Sequence, residues 1–316
     1  MNEKLIVSTS PHIQTSYGTR KLMGNVLIAL IPAVVAATWI FGIRALILIA
    51  ISTCSAMLFE HLWCMVTKQN TTIFDLSAAI TGVLLALTLP VGVPLYVPIV
   101  GTFFAIIVAK CLFGGLGNNF MNPALAGRAF LLASYSLPMT TWAKPFYYKT
   151  GAVDVVTGAT PLKLLKAGEA LEVSYIDLFL GNMGGCMGEV CALALVIGFI
   201  YLLVRRIIQP HATLAYVATV ALLGWLFGYQ GFMTGDPVTS VLTGGVLLGG
   251  IFMLTDYTTT PTTSLGQIIS GILAGALTIF IRVKGGYPEG VCYSILFVNI
   301  LAPQIDKLVI PKKYGA

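Results

Sequence analysis

Ten apolar runs, most of them close to twenty residues long, dominate the chain and leave few ways for it to fold. Inside a bilayer every backbone polar group must be bonded within its own segment, and a helix needs about 20 apolar residues to cross. The runs predict spans at 22–41, 43–66, 76–93, 95–113, 121–137, 186–204, 212–229, 238–255, 265–281 and 288–302. Of the 316 residues 57% are hydrophobic and 9% charged, where a soluble domain carries roughly 25% charged. That is too little charge to cover a wetted surface. A soluble enzyme, a nucleic-acid-binding module and a disordered chain are excluded, and the expected fold class is an all-α polytopic membrane protein.

The formal charge of +6 does not point to nucleic acid, because the basic residues flank the apolar runs. Lys and Arg near span ends fix orientation, with the excess on the cytoplasmic side. With the N-terminus inside, that side holds Lys4, Arg20, Lys21, Lys68, Lys110, Arg205, Arg206, Lys307, Lys312 and Lys313. The short outer loops hold Arg44, Arg282 and Lys284. Both termini are expected in the cytoplasm, and the long loop 138–185 outside. Residues 1–21 lack the apolar core of a signal peptide, so the first span is expected to direct insertion.

A weak internal repeat divides the chain. Ile80-Thr81-Gly82-Val83-Leu84-Leu85, in the third span, resembles Leu242-Thr243-Gly244-Gly245-Val246-Leu247-Leu248, in the eighth, which is one residue longer. Five spans per copy force opposite orientations, the inverted-repeat plan of many transporters. The expected organisation is a cytoplasmic segment 1–21, a first repeat 22–137, an extracytoplasmic loop 138–185, a second repeat 186–302 and a cytoplasmic tail 303–316. Asp75, Asn118 to Pro123, Asp236-Pro237 and Tyr287-Pro288-Glu289-Gly290 interrupt the spans at related places. Helix ends meeting at such breaks offer backbone groups to an ion or a cofactor.

The outer loop carries the segment Asp154-Val155-Val156-Thr157-Gly158-Ala159-Thr160-Pro161-Leu162. Read as local structure, it is a bare turn of small residues in which Thr157 would cap a helix opened by Pro161. Its order, Asp-x-x-Thr-Gly-Ala-Thr, is also the acceptor pattern onto which a flavin transferase esterifies FMN. Thr160, the last residue of the pattern, is the expected attachment point, and Asp154, Thr157, Gly158 and Ala159 form the part a transferase would read. The six cysteines form no C-x-x-C pair and read as buried apolar side chains. There is no P-loop, dinucleotide fingerprint, iron–sulfur motif or zinc pattern, so no metal site is expected in this chain.

With Ser10-Pro11-His12, Asn122-Pro123-Ala124, Gly127-Arg128 and the Thr-Gly-Ala-Thr acceptor, the whole chain resembles the RnfD family, membrane components of the Rnf complexes, which are ion-translocating ferredoxin:NAD oxidoreductases. It is also similar to the homologous NqrB component of sodium-pumping NADH:quinone reductases, whose N-terminal extension is longer. The resemblance implies ten transmembrane helices in two inverted repeats, as in urea-transporter-like channels, and a covalent FMN on Thr160 that relays electrons. It implies a multi-pass protein of the inner membrane, with the other Rnf subunits (A, B, C, E and G) and an extracytoplasmic flavin transferase as partners. Na⁺ or H⁺ would be the translocated ion. A second, non-covalent flavin of the riboflavin type is associated with the NqrB homologue. A passive solute channel shares the fold, and the acceptor sequence is what separates the two readings.

Among single residues, Arg128 stands well inside a span, where a charge is expensive and a functional candidate. It is expected to meet a phosphate, a flavin ring or a carboxylate such as Asp75, unless it snorkels to the cytoplasmic interface. Glu60 and His61 read as interfacial, Glu189 as either an interfacial group or a cation ligand, and Asp236, Asp256 and Glu289 as span-end groups that suggest an ion path only as a set near the broken helices. Trp142, Phe146, Tyr147 and Tyr148 precede the acceptor and would either pack on the isoalloxazine or anchor at the membrane surface.

Overall fold

A computed structural model describes residues 18–69, 71–149, 157–158, 160–167, 174–228, 231–286 and 290–310, with 157 and 158 described by their backbone. The first half of the chain begins with α1 (Thr19–Phe41) and α2 (Ile43–Thr67). It continues with α3 (Ser77–Leu87), α4 (Tyr96–Phe103) and α5 (Pro123–Ser134). A π-helical stretch, Phe104–Val108, prolongs α4. After the short α6 (Ser136–Met139) come α7 (Pro161–Ala167) and α8 (Tyr175–Leu180). The second half holds α9 (Ala192–Val204), α10 (His211–Leu226), α11 (Pro237–Leu242), α12 (Val246–Leu248), α13 (Ser264–Lys284) and α14 (Val291–Leu308). The strands, two residues each, make two small hairpin pairs, β1 (Trp142–Ala143) with β2 (Thr157–Gly158) and β3 (Phe227–Gly228) with β4 (Gly231–Phe232).

Among the described residues, five helical segments are long and apolar enough to cross a membrane: Thr19–Phe41, Ile43–Thr67, Tyr96–Phe113, Ser264–Lys284 and Val291–Leu308. Their outward faces are apolar, with Trp39, Val66 and Phe280 all more than 60% exposed, as lipid-facing side chains are. Ser77–Leu87, Ala192–Val204 and His211–Leu226 are apolar but shorter.

The shortfall marks the breaks. The third run is helical only to Leu87, and Leu89 and Pro90 continue in turns. The sixth becomes helical at Ala192, leaving the glycine-rich 181–188 and Glu189 outside regular helix. The eighth is split at Thr243-Gly244-Gly245 and then runs through α12 into a second π-helical stretch, Gly249–Met253. Within the first half α2 contacts α3 and α4, and α4 contacts α5, while in the second α10 contacts α11 and α13, and α13 contacts α14. Between the halves α1 meets α9 and α5 meets α14. Small residues allow this closeness, since a Cβ at Gly82 would lie 2.7 Å from the Thr53 Cα across the α2–α3 contact.

Candidate functional site

Thr160 opens α7. Its carbonyl accepts from the N–H groups of Lys163 and Leu164, and its hydroxyl accepts from the Lys163 N–H at 3.3 Å. It is therefore the N-cap, followed by Pro161 at the first helical position, where a missing N–H costs nothing. Residue order alone assigns that role to Thr157, but Thr157 lies in β2, where Thr157 pairs with Ala143 and Gly158 with Trp142. The expectation of a bare turn is also corrected, because Thr160 is 6% exposed. Asp154 and Ala159 lie outside the described residues.

α7 is seated on the core. Leu162 is 2% exposed and packs over Gly244 at the break in the eighth run. Lys166 Nζ donates to the Gly285 carbonyl just past α13. Beside α7 is a cavity of about 500 Å³, whose lining includes Trp142, Lys163, Lys166, Cys292 and Tyr293. That volume is ordinary for a small-molecule site. The aromatics before the acceptor divide: Trp142 is buried at this cavity, whereas Tyr147 and Tyr148 line a groove against α1 and α2.

Toward the centre, Cys292 also borders a small cavity shared by Thr88, Arg128, Gly244 and Gly245. Arg128 is 6% exposed, and its guanidinium donates to Cys186 Sγ at 3.3 Å, so it does not snorkel. Asp75 precedes α3 and Thr88 ends it, so the length of α3, about 16 Å by helix rise, lies between Asp75 and the residue that lines this cavity. The Glu189 carboxylate is buried rather than interfacial, and its Oε1 accepts from the Cys186 N–H at 3.0 Å. Arg282 is 1% exposed, not a loop residue. It donates to the carbonyls of Ser240 at 2.7 Å, Thr243 at 2.8 Å and Gly244 at 3.4 Å. A cation there meets the negative end of α11 and satisfies carbonyls that the break leaves unpaired.

At the opposite end of α3, Lys110 Nζ donates to Glu60 Oε1 and to Ser77 Oγ, both at 2.7 Å. The interfacial reading of Glu60 is corrected, and Lys110, read from the sequence as a flanking basic residue, is buried. The cavity here, of about 70 Å³, also takes in Asn119, Asn122 and Asp256. Desolvation pushes the Asp256 carboxyl above the usual carboxylate range, against a hydrogen bond from Thr258. Asp236 caps α11 through the N–H groups of Val238 and Thr239. Glu289 is outside the described residues. None of the six cysteines is in a disulfide, and the described residues hold no metal-binding cluster of His, Cys, Asp and Glu. Sequence reading missed Arg282, Leu162, Lys163 and Lys166. Arg282 near a span end has the signature of an orientation signal, and only the tertiary structure shows what it caps.

Apolar helices interrupted at the core by glycine breaks and buried charges define a polytopic helical membrane protein. The chain matches the model of the NQR2, RnfD, RnfE family over residues 6–315, and it belongs to that family. It is 46% identical to the D component of the Na(+)-translocating ferredoxin:NAD(+) oxidoreductase complex of Acetobacterium woodii, covering 100% of this chain and 97% of that one. It is 43% identical to the D component of the proton-translocating ferredoxin:NAD(+) oxidoreductase complex of Clostridium ljungdahlii, over 98% and 96%. The D component of an ion-translocating oxidoreductase complex of Escherichia coli is 34% identical over 98% of both chains.

Proposed function

We propose that this chain is the flavin-bearing membrane subunit of a redox-driven ion translocase of the ferredoxin:NAD⁺ type, with FMN joined through a phosphoester to Thr160. The observation that carries the reading is the adjacency of Thr160, as N-cap of α7, to a cavity lined by Trp142, Lys163 and Lys166. In the attachment, Thr160 Oγ1 gives up its proton and bonds to phosphorus. The pyrophosphate bond of a flavin dinucleotide donor breaks, and a nucleoside monophosphate leaves. Because Thr160 is buried, α7 must be away from the core when an outer transferase acts.

The residues present fit the group. A phosphodiester keeps one negative charge, which Lys163 and Lys166 can balance at close range. Trp142 offers a ring face, and the Tyr293 and Cys292 side chains bound the inner wall. FMN would supply one- and two-electron redox chemistry, and the chain's part is to hold it, orient it and limit water around it. Arg128 and Glu189 then set the field between this cavity and the centre of the bundle. We place no second flavin on particular residues.

The remaining features follow from the same reading. The other Rnf subunits supply the NAD and iron–sulfur sites that this sequence lacks. The relatives named for Na⁺ and for protons are similar to this chain at 46% and 43%, so identity does not choose the ion. With Lys110 and Arg282 buried, the remaining flanking basic residues still favour cytoplasmic termini in a cell membrane. The test is direct. The purified chain on a denaturing gel should fluoresce under ultraviolet light, and its peptide mass should place FMN on Thr160. A dark band from the native complex would refute the reading.

A further inference from the structure

The break in the eighth run is shaped to receive one side chain from α7. Gly244 has φ +68° and Gly245 φ +75°, a left-handed pair that turns backbone carbonyls away from α11. Arg282 gathers the carbonyls of Ser240, Thr243 and Gly244 from below. Above them a Cβ added to Gly244 would lie 2.4 Å from Leu162 Cδ1 and 2.7 Å from the Arg282 guanidinium. The missing Cβ is thus the floor of a socket, Arg282 its frame and Leu162 its plug. Leu162 is two residues from Thr160 on a helix of seven residues, too short to hold its place by propensity.

We propose that Leu162 is the positioning residue that seats the acceptor helix, and that this contact decides whether the flavin on Thr160 is enclosed. The inference rests on the assignment of FMN to Thr160. Lys166, on the Gly285 carbonyl, steadies the far end of α7 but lies exposed. Pro161 and Leu162 are the buried residues of α7, and Leu162 is the one that meets Gly244. Truncating Leu162 to alanine removes most of its burial and shifts α7 toward the undocked state by roughly tenfold or more. Attachment of FMN needs the undocked state and is therefore preserved.

Two measurements on the intact complex test this. Leu162→Ala should keep FMN on Thr160 by peptide mass, while iodide quenches its flavin fluorescence several-fold more strongly than in the native complex. Leu162→Met, which refills the socket, should return quenching to the native value. In the Thr160→Cys chain, which lacks the acceptor hydroxyl and carries its thiol where Thr160 is 6% exposed, a water-soluble maleimide should react several-fold faster once Leu162→Ala is added. Leu162→Val, a smaller truncation, gives an intermediate rate and serves if the alanine chain does not accumulate. Unchanged quenching together with unchanged labelling would overturn the proposal. Absence of FMN from the native complex would instead sink the reading it rests on, and the labelling arm would still report on the seat.

Discussion

Lys110 Nζ stands 2.7 Å from Glu60 Oε1 with both side chains almost fully buried, so two formal charges are carried inside an apolar bundle as one neutral unit. Breaking such a pair leaves an unpaired buried charge, which costs about 3–5 kcal/mol, whereas replacing both partners with apolar groups is often nearly neutral. Glu60→Gln or Lys110→Met should therefore lower the unfolding temperature in detergent sharply. The double variant Glu60→Leu with Lys110→Met should recover most of the loss. Additive losses would show that the two groups are not energetically coupled.

Thr160→Val keeps the β-branched shape and removes the hydroxyl. The helix cap is lost with it, at about 1 kcal/mol, which a protein of this size tolerates. The chain should insert and fold, and lack covalent flavin. Thr157→Ser should stay flavinylated, and mass spectrometry of the acceptor peptide distinguishes the two outcomes.

Arg128→Met removes the donor to Cys186 Sγ from a site that is 6% exposed. Electron-transfer turnover should fall by roughly tenfold, the scale of one lost charge-assisted hydrogen bond. Membrane insertion should be unaffected. Cys186→Ser leaves an acceptor for the guanidinium and should retain most of the turnover. A fully active Arg128→Met complex would assign this arginine no part in the chemistry.

Gly244→Ala meets two obstacles at once. Its φ of +68° is a left-handed conformation, and the new Cβ would fall 2.4 Å from Leu162 Cδ1. The cost should be about 1–3 kcal/mol from the backbone, with the clash added. Adding Leu162→Ala should relieve only the clash, and thermal unfolding of the single and double variants separates the two parts.

The sequence reached the helical membrane class because hydropathy reports directly on the solvent a segment must face. Residue order also singled out the segment around Thr160, which opens α7. What the sequence did not disclose was tertiary. Arg44 reads as a loop charge, but its guanidinium donates to the carbonyls of Val91, Gly92 and Val93 in the turn after α3. Lys110 and Arg282 mislead in the same way, because a basic residue at a span end has one appearance in sequence whether it greets water or caps a helix inside the bundle. Thr160 shows a different limit. Periodicity cannot choose between two threonines three residues apart when the cap depends on where α7 docks.

The second copy of the Thr-Gly repeat is one residue longer than the first. In an unbroken helix one added residue would rotate everything after it by about 100° and move every later side chain onto the wrong neighbour. The left-handed pair Gly244-Gly245 takes up that rotation within a single turn of chain. Beyond it the rest of the run emerges with Gly249 against Val291 on α14 and Gly250 against Tyr216 on α10. The run is thus divided at Thr243-Gly244-Gly245 into two separate helical pieces. It is at this break that α7 finds its seat, through Leu162 against Gly244.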